Sequence, residues 1–273
     1  MSLGLAFLLG LIQGLTEFLP ISSSGHLIVL PYLLGLDDFP HPLLFDVLLH
    51  GATLLAVALY FRRELKGLLK SLRRAPLNPE EDALEGQGRK ILLLIPITLL
   101  PLPLVALGLG DWLEGMSQSP QWVGVFLGAT GGLCWSVDAW APRASKSWRA
   151  MGPWDALWVG LAQAMAALQG ISRSGATIAA GLWRGLERDV AARFSFLISL
   201  PAIAGAILWE ARHLESLSSL PWSACLLGMG TAFLSGYAAL TLLFRVLRQG
   251  RFRLFAYYCW ALGCLTLLRG WLG

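Results

Sequence analysis

Six stretches of this 273-residue chain, near 43–61, 91–110, 121–141, 193–209, 222–244 and 254–272, are each apolar over about the length a helix needs to cross a hydrocarbon core. So many such runs leave little polar surface with which to coat a soluble globule. Hydrophobic residues make up 56% of the chain and charged residues only 14%, for a mean hydropathy of +0.62. The expected class is an all-α integral membrane protein. The first eighteen residues are apolar too, but they have no basic n-region or small-x-small cleavage site, so they are expected to stay in the mature protein. The four cysteines show neither a disulfide framework nor metal-type spacing.

Two further apolar stretches, 2–34 and 153–185, are broken midway by Pro20-Ile21-Ser22-Ser23-Ser24-Gly25 and by Gln169-Gly170-Ile171-Ser172-Arg173-Ser174-Gly175. Polar, glycine-bearing backbone is tolerated at membrane depth only where protein or a watery cavity surrounds it. Both stretches are therefore expected to be re-entrant helical hairpins. They also match one another. Gly10, Leu11, Gln13, Ile21, Ser22, Ser24, Gly25 and Ile28 recur at Gly160, Leu161, Gln163, Ile171, Ser172, Ser174, Gly175 and Ile178, always at the same offset.

A duplicated chain follows, a single membrane domain with repeat 1 over about 1–141 and repeat 2 over about 150–273. Each half is one re-entrant hairpin plus three transmembrane helices. An odd number of crossings per half makes this an inverted-topology repeat. Charge supplies an independent argument: with loops 62–90, 142–153, 184–193 and 245–253 in the cytoplasm, 18 of the 21 Lys and Arg lie there. Asp37, Asp38, Asp111 and Glu114 then fall outside, with both termini. The polar segment Pro76 to Gly88 reads as a solvated connection, and Asp138 and Asp155 as boundary residues that solvation explains about as well as function does.

Chemistry is expected where ionisable groups stand in otherwise lipid-buried sequence. Glu17, Ser23 and His26 surround the first break; Ser172, Arg173, Ser174 and Thr177 surround the second. An Arg fork, hydroxyls and exposed N–H groups at a glycine turn before a helix make an anion cradle. Ser23 and His26 have the spacing for a nucleophile and base if the turn curls back. Gln13 and Glu17, four apart, share a helical face and could offer oxygens to a divalent cation. Packing of the serines and mutual neutralisation of Glu17 and Arg173 form the competing reading. Asp46 and His50, also four apart, are weaker candidates: a helix cap and a polar contact account for them equally well.

The runs Gln13-Gly14-Leu15-Thr16-Glu17-Phe18-Leu19-Pro20-Ile21-Ser22-Ser23-Ser24-Gly25-His26-Leu27 and Gly170-Ile171-Ser172-Arg173-Ser174-Gly175-Ala176-Thr177 resemble the signatures of the undecaprenyl-diphosphate phosphatases, the bacitracin-resistance proteins. The resemblance continues through Phe45-Asp46-Val47 and Ala191-Ala192-Arg193-Phe194-Ser195-Phe196. It implies a hydrolase of the bacterial inner membrane, its site toward the periplasm, that converts undecaprenyl diphosphate to the monophosphate carrier for peptidoglycan and other envelope polymers. It also implies Mg²⁺ or Ca²⁺ dependence, with Glu17 and Gln13 as metal residues. Catalytic roles fall on Ser23, His26, Glu17 and Arg173, and phosphate binding on Ser22, Ser24, Ser172, Arg173, Ser174 and Thr177. This chain departs from the pattern in having Gln13 where many relatives carry a second Glu, and Gln169 where Pro is usual. The expected partners are a polyprenyl diphosphate and the bilayer, with no nucleic acid and with a homodimer left open. The alternative reading is a polyprenyl-phosphate flippase or anion transporter, because broken helices meeting at a midplane also build transport sites.

Overall fold

The computed structural model describes residues 1–36, 43–73, 86–117, 119–213 and 221–272. Asp37, Asp38, Arg74, most of the segment from Pro76 to Gly88, and the side chains of Asp111 and Glu114 lie outside what is described, as do the expectations attached to them. The described residues are mostly helical, with no named strand among them and one isolated bridge between Lys146 and Leu186. The helices are α1 (Leu3–Phe18), α2 (Ser23–Leu34), α3 (Leu43–Tyr60), α4 (Arg62–Arg73), α5 (Gly88–Leu99), α6 (Pro101–Ser117), α7 (Pro120–Trp140), α8 (Pro153–Met165), α9 (Arg173–Trp183), α10 (Arg188–Glu210), α11 (Trp222–Arg248) and α12 (Arg253–Leu272).

Four stretches are long and apolar enough to cross a membrane: Leu43–Tyr60, Gly88–Gly110, Arg188–Glu210 and Trp222–Arg248. They account for four of the six expected crossings. The other two coincide with α7 and α12, which have the length, 21 and 20 residues, but whose Gly, Trp and Tyr content lowers their hydropathy. The stretch expected as one helix over 91–110 is divided at Leu100. Pro101 and Pro103, which have no N–H to donate, follow that break.

Both serine-rich breaks occur where the sequence places them, and each has its own physical cause. Leu19 precedes Pro20 and takes the extended conformation such residues favour, which ends α1. Ser22 then caps α2 with a left-handed φ of 68°. In the second break the left-handed residue is Gly170, at φ 103°, and Ser172 caps α9 with an ordinary extended φ of −75°. The paired helices are short, 16 and 12 residues in the first unit and 13 and 11 in the second. At 1.5 Å per residue, roughly 16–24 Å each, none matches a hydrocarbon core of about 30 Å.

Small residues let these short helices approach their neighbours closely. A Cβ on Gly10 would lie 2.3 Å from the Gly228 carbonyl oxygen of α11, and one on Gly160 would lie 2.4 Å from the Thr98 carbonyl oxygen of α5. Thus α1 lies on α11 while α8 lies across α5 and α6. Phe18, Phe61, Phe196 and Phe244 form an aromatic cluster with centroid separations of 5.8–6.0 Å, mostly edge-on or tilted, that joins α1, the α3–α4 junction, α10 and α11. Asp155, a boundary residue that solvation and function explained about equally well from the sequence, is 3% exposed. It accepts from Arg184 at 2.9 Å and Lys146 at 3.2 Å, closing the base of the second unit.

Candidate active site

The two breaks touch. Gly170 N–H donates to Ser22 Oγ at 3.2 Å, and the same oxygen accepts from Gly25 N–H at 3.3 Å within its own cap. The second cap repeats the arrangement, with Gly175 N–H donating to Ser172 Oγ at 3.3 Å. Thr130 of α7 holds the second break in place, accepting from Ser172 N–H and donating to the Gly170 carbonyl. Each tip thereby presents its middle residue, Ser23 or Arg173, to the space between them.

Glu17, in the last turn of α1, is the point of convergence. Its Oε2 accepts from Ser23 Oγ at 2.9 Å and from Gln13 Nε2 at 3.1 Å, and its Oε1 accepts from Arg173 Nη2 at 2.7 Å. The carboxylate side chain is only 7% exposed and the guanidinium 19%, so each charge is offset mainly by the other. Around them opens a cavity of about 250 Å³ lined by Glu17, Ser22, Ser23, Ser24, Ser172 and Arg173 on its polar side, and by Leu102, Ala202, Ile203 and Ala206 on its apolar side.

Not every expected site residue faces this cavity. Ser174 and Thr177 are 2% and 1% exposed and are absent from its lining. Thr177 Oγ1 is shared between the Arg173 carbonyl at 2.8 Å and Ser195 Oγ at 2.6 Å, and Ser174 Oγ lies 3.2 Å from Ser172 Oγ. Their hydroxyls support α9 from within the protein. His26 is turned away as well. Its Nδ1 is 2.7 Å from the Ser22 carbonyl and its Nε2 2.8 Å from Tyr258 Oη, with the two rings stacked at 5.6 Å. It borders a separate apolar groove beside Leu11, Leu15, Leu30, Leu254 and Tyr258. The structure therefore brings Glu17, rather than His26, to the Ser23 hydroxyl.

A family profile described as "Bacitracin resistance protein BacA" matches residues 6–265. The chain belongs to the BacA family. Among curated relatives, the undecaprenyl-diphosphatase of Desulfosudis oleivorans is 45% identical over 272 residues, covering 97% of this chain and 96% of the relative. That of Syntrophotalea carbinolica is 42% identical, with coverage of 94% and 95%, and that of Desulforapulum autotrophicum 39%, with 96% of each.

For a BacA protein, two residues of the cavity were underweighted by sequence reasoning. His50 of α3 lines it, with Nε2 3.9 Å from Glu17 Oε2. The only sequence signal was an ionisable residue in an apolar run, four after Asp46. Gln163 of α8 lines it too. It is 2% exposed, and neither polar atom of its amide has a hydrogen-bond partner among the described residues. Its signal was the repeat itself, in which it is the counterpart of Gln13.

A divalent cation can be tested against the donors present. Among the described residues no cluster of three His, Cys, Asp or Glu could hold one. Gln13 Oε1, however, is buried without a hydrogen-bond partner among those residues, and a half-turn of the amide, which now directs Nε2 to Glu17, would bring that oxygen toward the carboxylate. An amide oxygen and a carboxylate fit an ion that takes its remaining ligands from phosphate and water, the usual habit of Mg²⁺.

Proposed function

We infer that this chain is an undecaprenyl-diphosphate phosphatase: it hydrolyses undecaprenyl diphosphate to the monophosphate and inorganic phosphate, returning the lipid carrier to peptidoglycan synthesis and supporting bacitracin resistance. The single observation that carries the chemistry is Glu17 accepting from Ser23 and from Arg173 at once. Nucleophile, base and anion clamp then meet in one cavity. The flippase or transporter reading is weaker, because a carrier needs Arg173 and the serines but has no use for a hydroxyl hydrogen-bonded to a buried carboxylate.

The terminal phosphate enters beside Arg173, whose guanidinium retains donors not engaged with Glu17, with Ser24 and Ser172 at the cavity wall. The prenyl chain leaves along the apolar side formed by α6 and α10. Ser23 Oγ attacks the terminal phosphorus in line and passes its proton to Glu17. The bond from that phosphorus to the bridging oxygen breaks, and the polyprenyl monophosphate departs with the electron pair. Arg173 meets the charge that builds on the phosphoryl oxygens. Ser174 and Thr177 act behind it, holding the α9 turn, and His26 holds the Ser22 carbonyl and so the first tip. Mg²⁺ or Ca²⁺ arriving with the diphosphate would be held by Glu17 and Gln13 and would supply further charge neutralisation.

The membrane arrangement belongs to the same reading. Swapped packing, α1 on α11 and α8 on α5, supports an inverted repeat, because a pseudo-two-fold axis exchanges those pairs. The short helices flanking each break support re-entrant hairpins, and the basic loops support an inner-membrane orientation with the site and both termini toward the periplasm.

Protein purified in detergent tests the function directly. Phosphate appearing from undecaprenyl diphosphate, with no gradient or second compartment, is the expected result. Tight lipid binding without release, across cations and pH, would instead mark a carrier.

A further inference from the structure

The protein places two histidines near the tips, and their hydrogen bonds set them apart. Each Nδ1 faces a backbone carbonyl, that of Ser22 at 2.7 Å for His26 and that of Asp46 at 3.0 Å for His50. A carbonyl can only accept, so in each neutral ring Nδ1 carries the proton and Nε2 the lone pair. The His26 lone pair is occupied by the Tyr258 hydroxyl at 2.8 Å, outside the cavity. His50 Nε2 lies in the cavity wall, 3.9 Å from Glu17 Oε2, too far for a direct hydrogen bond and well placed for a water between them. The charged groups around His50 are Glu17 and Arg173 in the cavity, Asp46 on its own helix, and Glu210 of α10, which lies within electrostatic reach of both His50 and Asp46.

We propose that His50 is the general base for the second half of the reaction, activating the water that releases phosphate from Ser23. This rests on the covalent reading given above. Once Ser23 carries the phosphoryl group, Glu17 holds the serine proton and is no longer a base, so a second acceptor is required for water. Among the described lining residues, His50 offers an imidazole whose Nδ1 is held at the Asp46 carbonyl, leaving Nε2 as the acceptor on the cavity side. The water oxygen bonds to phosphorus as its proton passes to His50 Nε2. The bond from phosphorus to Ser23 Oγ breaks, and that oxygen takes back the proton held by Glu17. Inorganic phosphate leaves, and His50 returns its proton to the departing phosphate or to solvent. No oxidant or other co-reactant is needed.

The test is rapid-quench kinetics with undecaprenyl diphosphate labelled in its terminal phosphate, comparing the unaltered protein with His50→Gln. The expected result is one equivalent of undecaprenyl monophosphate released in a burst, label retained on Ser23, and inorganic phosphate release slowed at least about tenfold. The burst itself shows that the variant is folded and binds substrate. Phosphate release at the unaltered rate would overturn the assignment. To cover a His50→Gln protein that misfolds, His50→Ala is assayed with added imidazole: restored phosphate release supports the base role, and a defect that imidazole does not repair in a variant retaining the burst overturns it. Ser23→Ala separates the two ideas. If that variant forms both products normally, the covalent step is lost and the His50 assignment falls with it, whereas loss of both products in Ser23→Ala together with unaltered phosphate release in His50→Gln overturns His50 alone.

Discussion

The two tips share one scaffold and differ at one functional position. In both, a serine caps the following helix by accepting from a glycine N–H three residues on, at 3.3 Å, and lies beside the hydroxyl two residues on, at 3.4 Å in the first and 3.2 Å in the second. Between those paired serines stands Ser23 in one tip and Arg173 in the other, and both side chains end on Glu17. The same capping frame thus occurs twice, and under the proposed mechanism the single residue that differs makes one tip the nucleophile and the other the clamp. The backbones differ in where the left-handed residue sits. The first tip places it at the cap, Ser22, a non-glycine conformation that costs of order 1–3 kcal/mol, whereas the second places it at Gly170.

The comparison is broken most severely by removing the residues that distinguish the tips. Ser23→Ala is expected to lower monophosphate release by at least about a thousandfold, the scale of losing a nucleophile, in a stopped assay with labelled lipid. Retention of more than a few per cent would return the attack to water or to another residue. Arg173→Ala should cost about 10²–10³ in kcat/KM, the effect of deleting an oxyanion donor, with Arg173→Lys recovering only part of it. Near-normal turnover in a folded Arg173→Ala protein would remove the clamp.

Smaller effects sharpen the distinction between chemistry and scaffold. His26→Ala should slow turnover about tenfold by loosening the Ser22 carbonyl, and Tyr258→Phe by no more than about threefold, since the ring still packs. If Tyr258→Phe equalled His26→Ala, the histidine lone pair would matter more than its grip on the tip. Gly170→Ala tests the second scaffold alone. A Cβ there would lie 2.6 Å from the Val123 carbonyl at a φ of 103°, so a loss of about 1–3 kcal/mol is expected in thermal unfolding. Thr177→Val should cost about 1 kcal/mol of stability through its lost bond to Ser195 while leaving kcat within about twofold. A large fall in kcat would place the Thr177 hydroxyl on the phosphate after all.

Much of the site was legible because membrane burial makes polar residues conspicuous. Glu17, Ser23 and Arg173 stand out in apolar sequence, and the constant offset between Ser22-Ser23-Ser24 and Ser172-Arg173-Ser174 indicates that the tips belong together. The roles of His26, Ser174 and Thr177 were less legible. A residue beside a tip can face the cavity or the protein behind it, and two or three positions of helix are enough to choose, which spacing alone does not resolve.

From the chain alone come the membrane class, the positions of both breaks and the repeat, because hydropathy, proline and helix-capping serines act locally. Only the tertiary structure decided which histidine reaches the cavity, for that depends on α3 lying beside α1 and on Tyr258, more than two hundred residues away, occupying His26. Proximity between distant helices is set by the packing of small residues such as Gly10 and Gly160 against partners that no local pattern names.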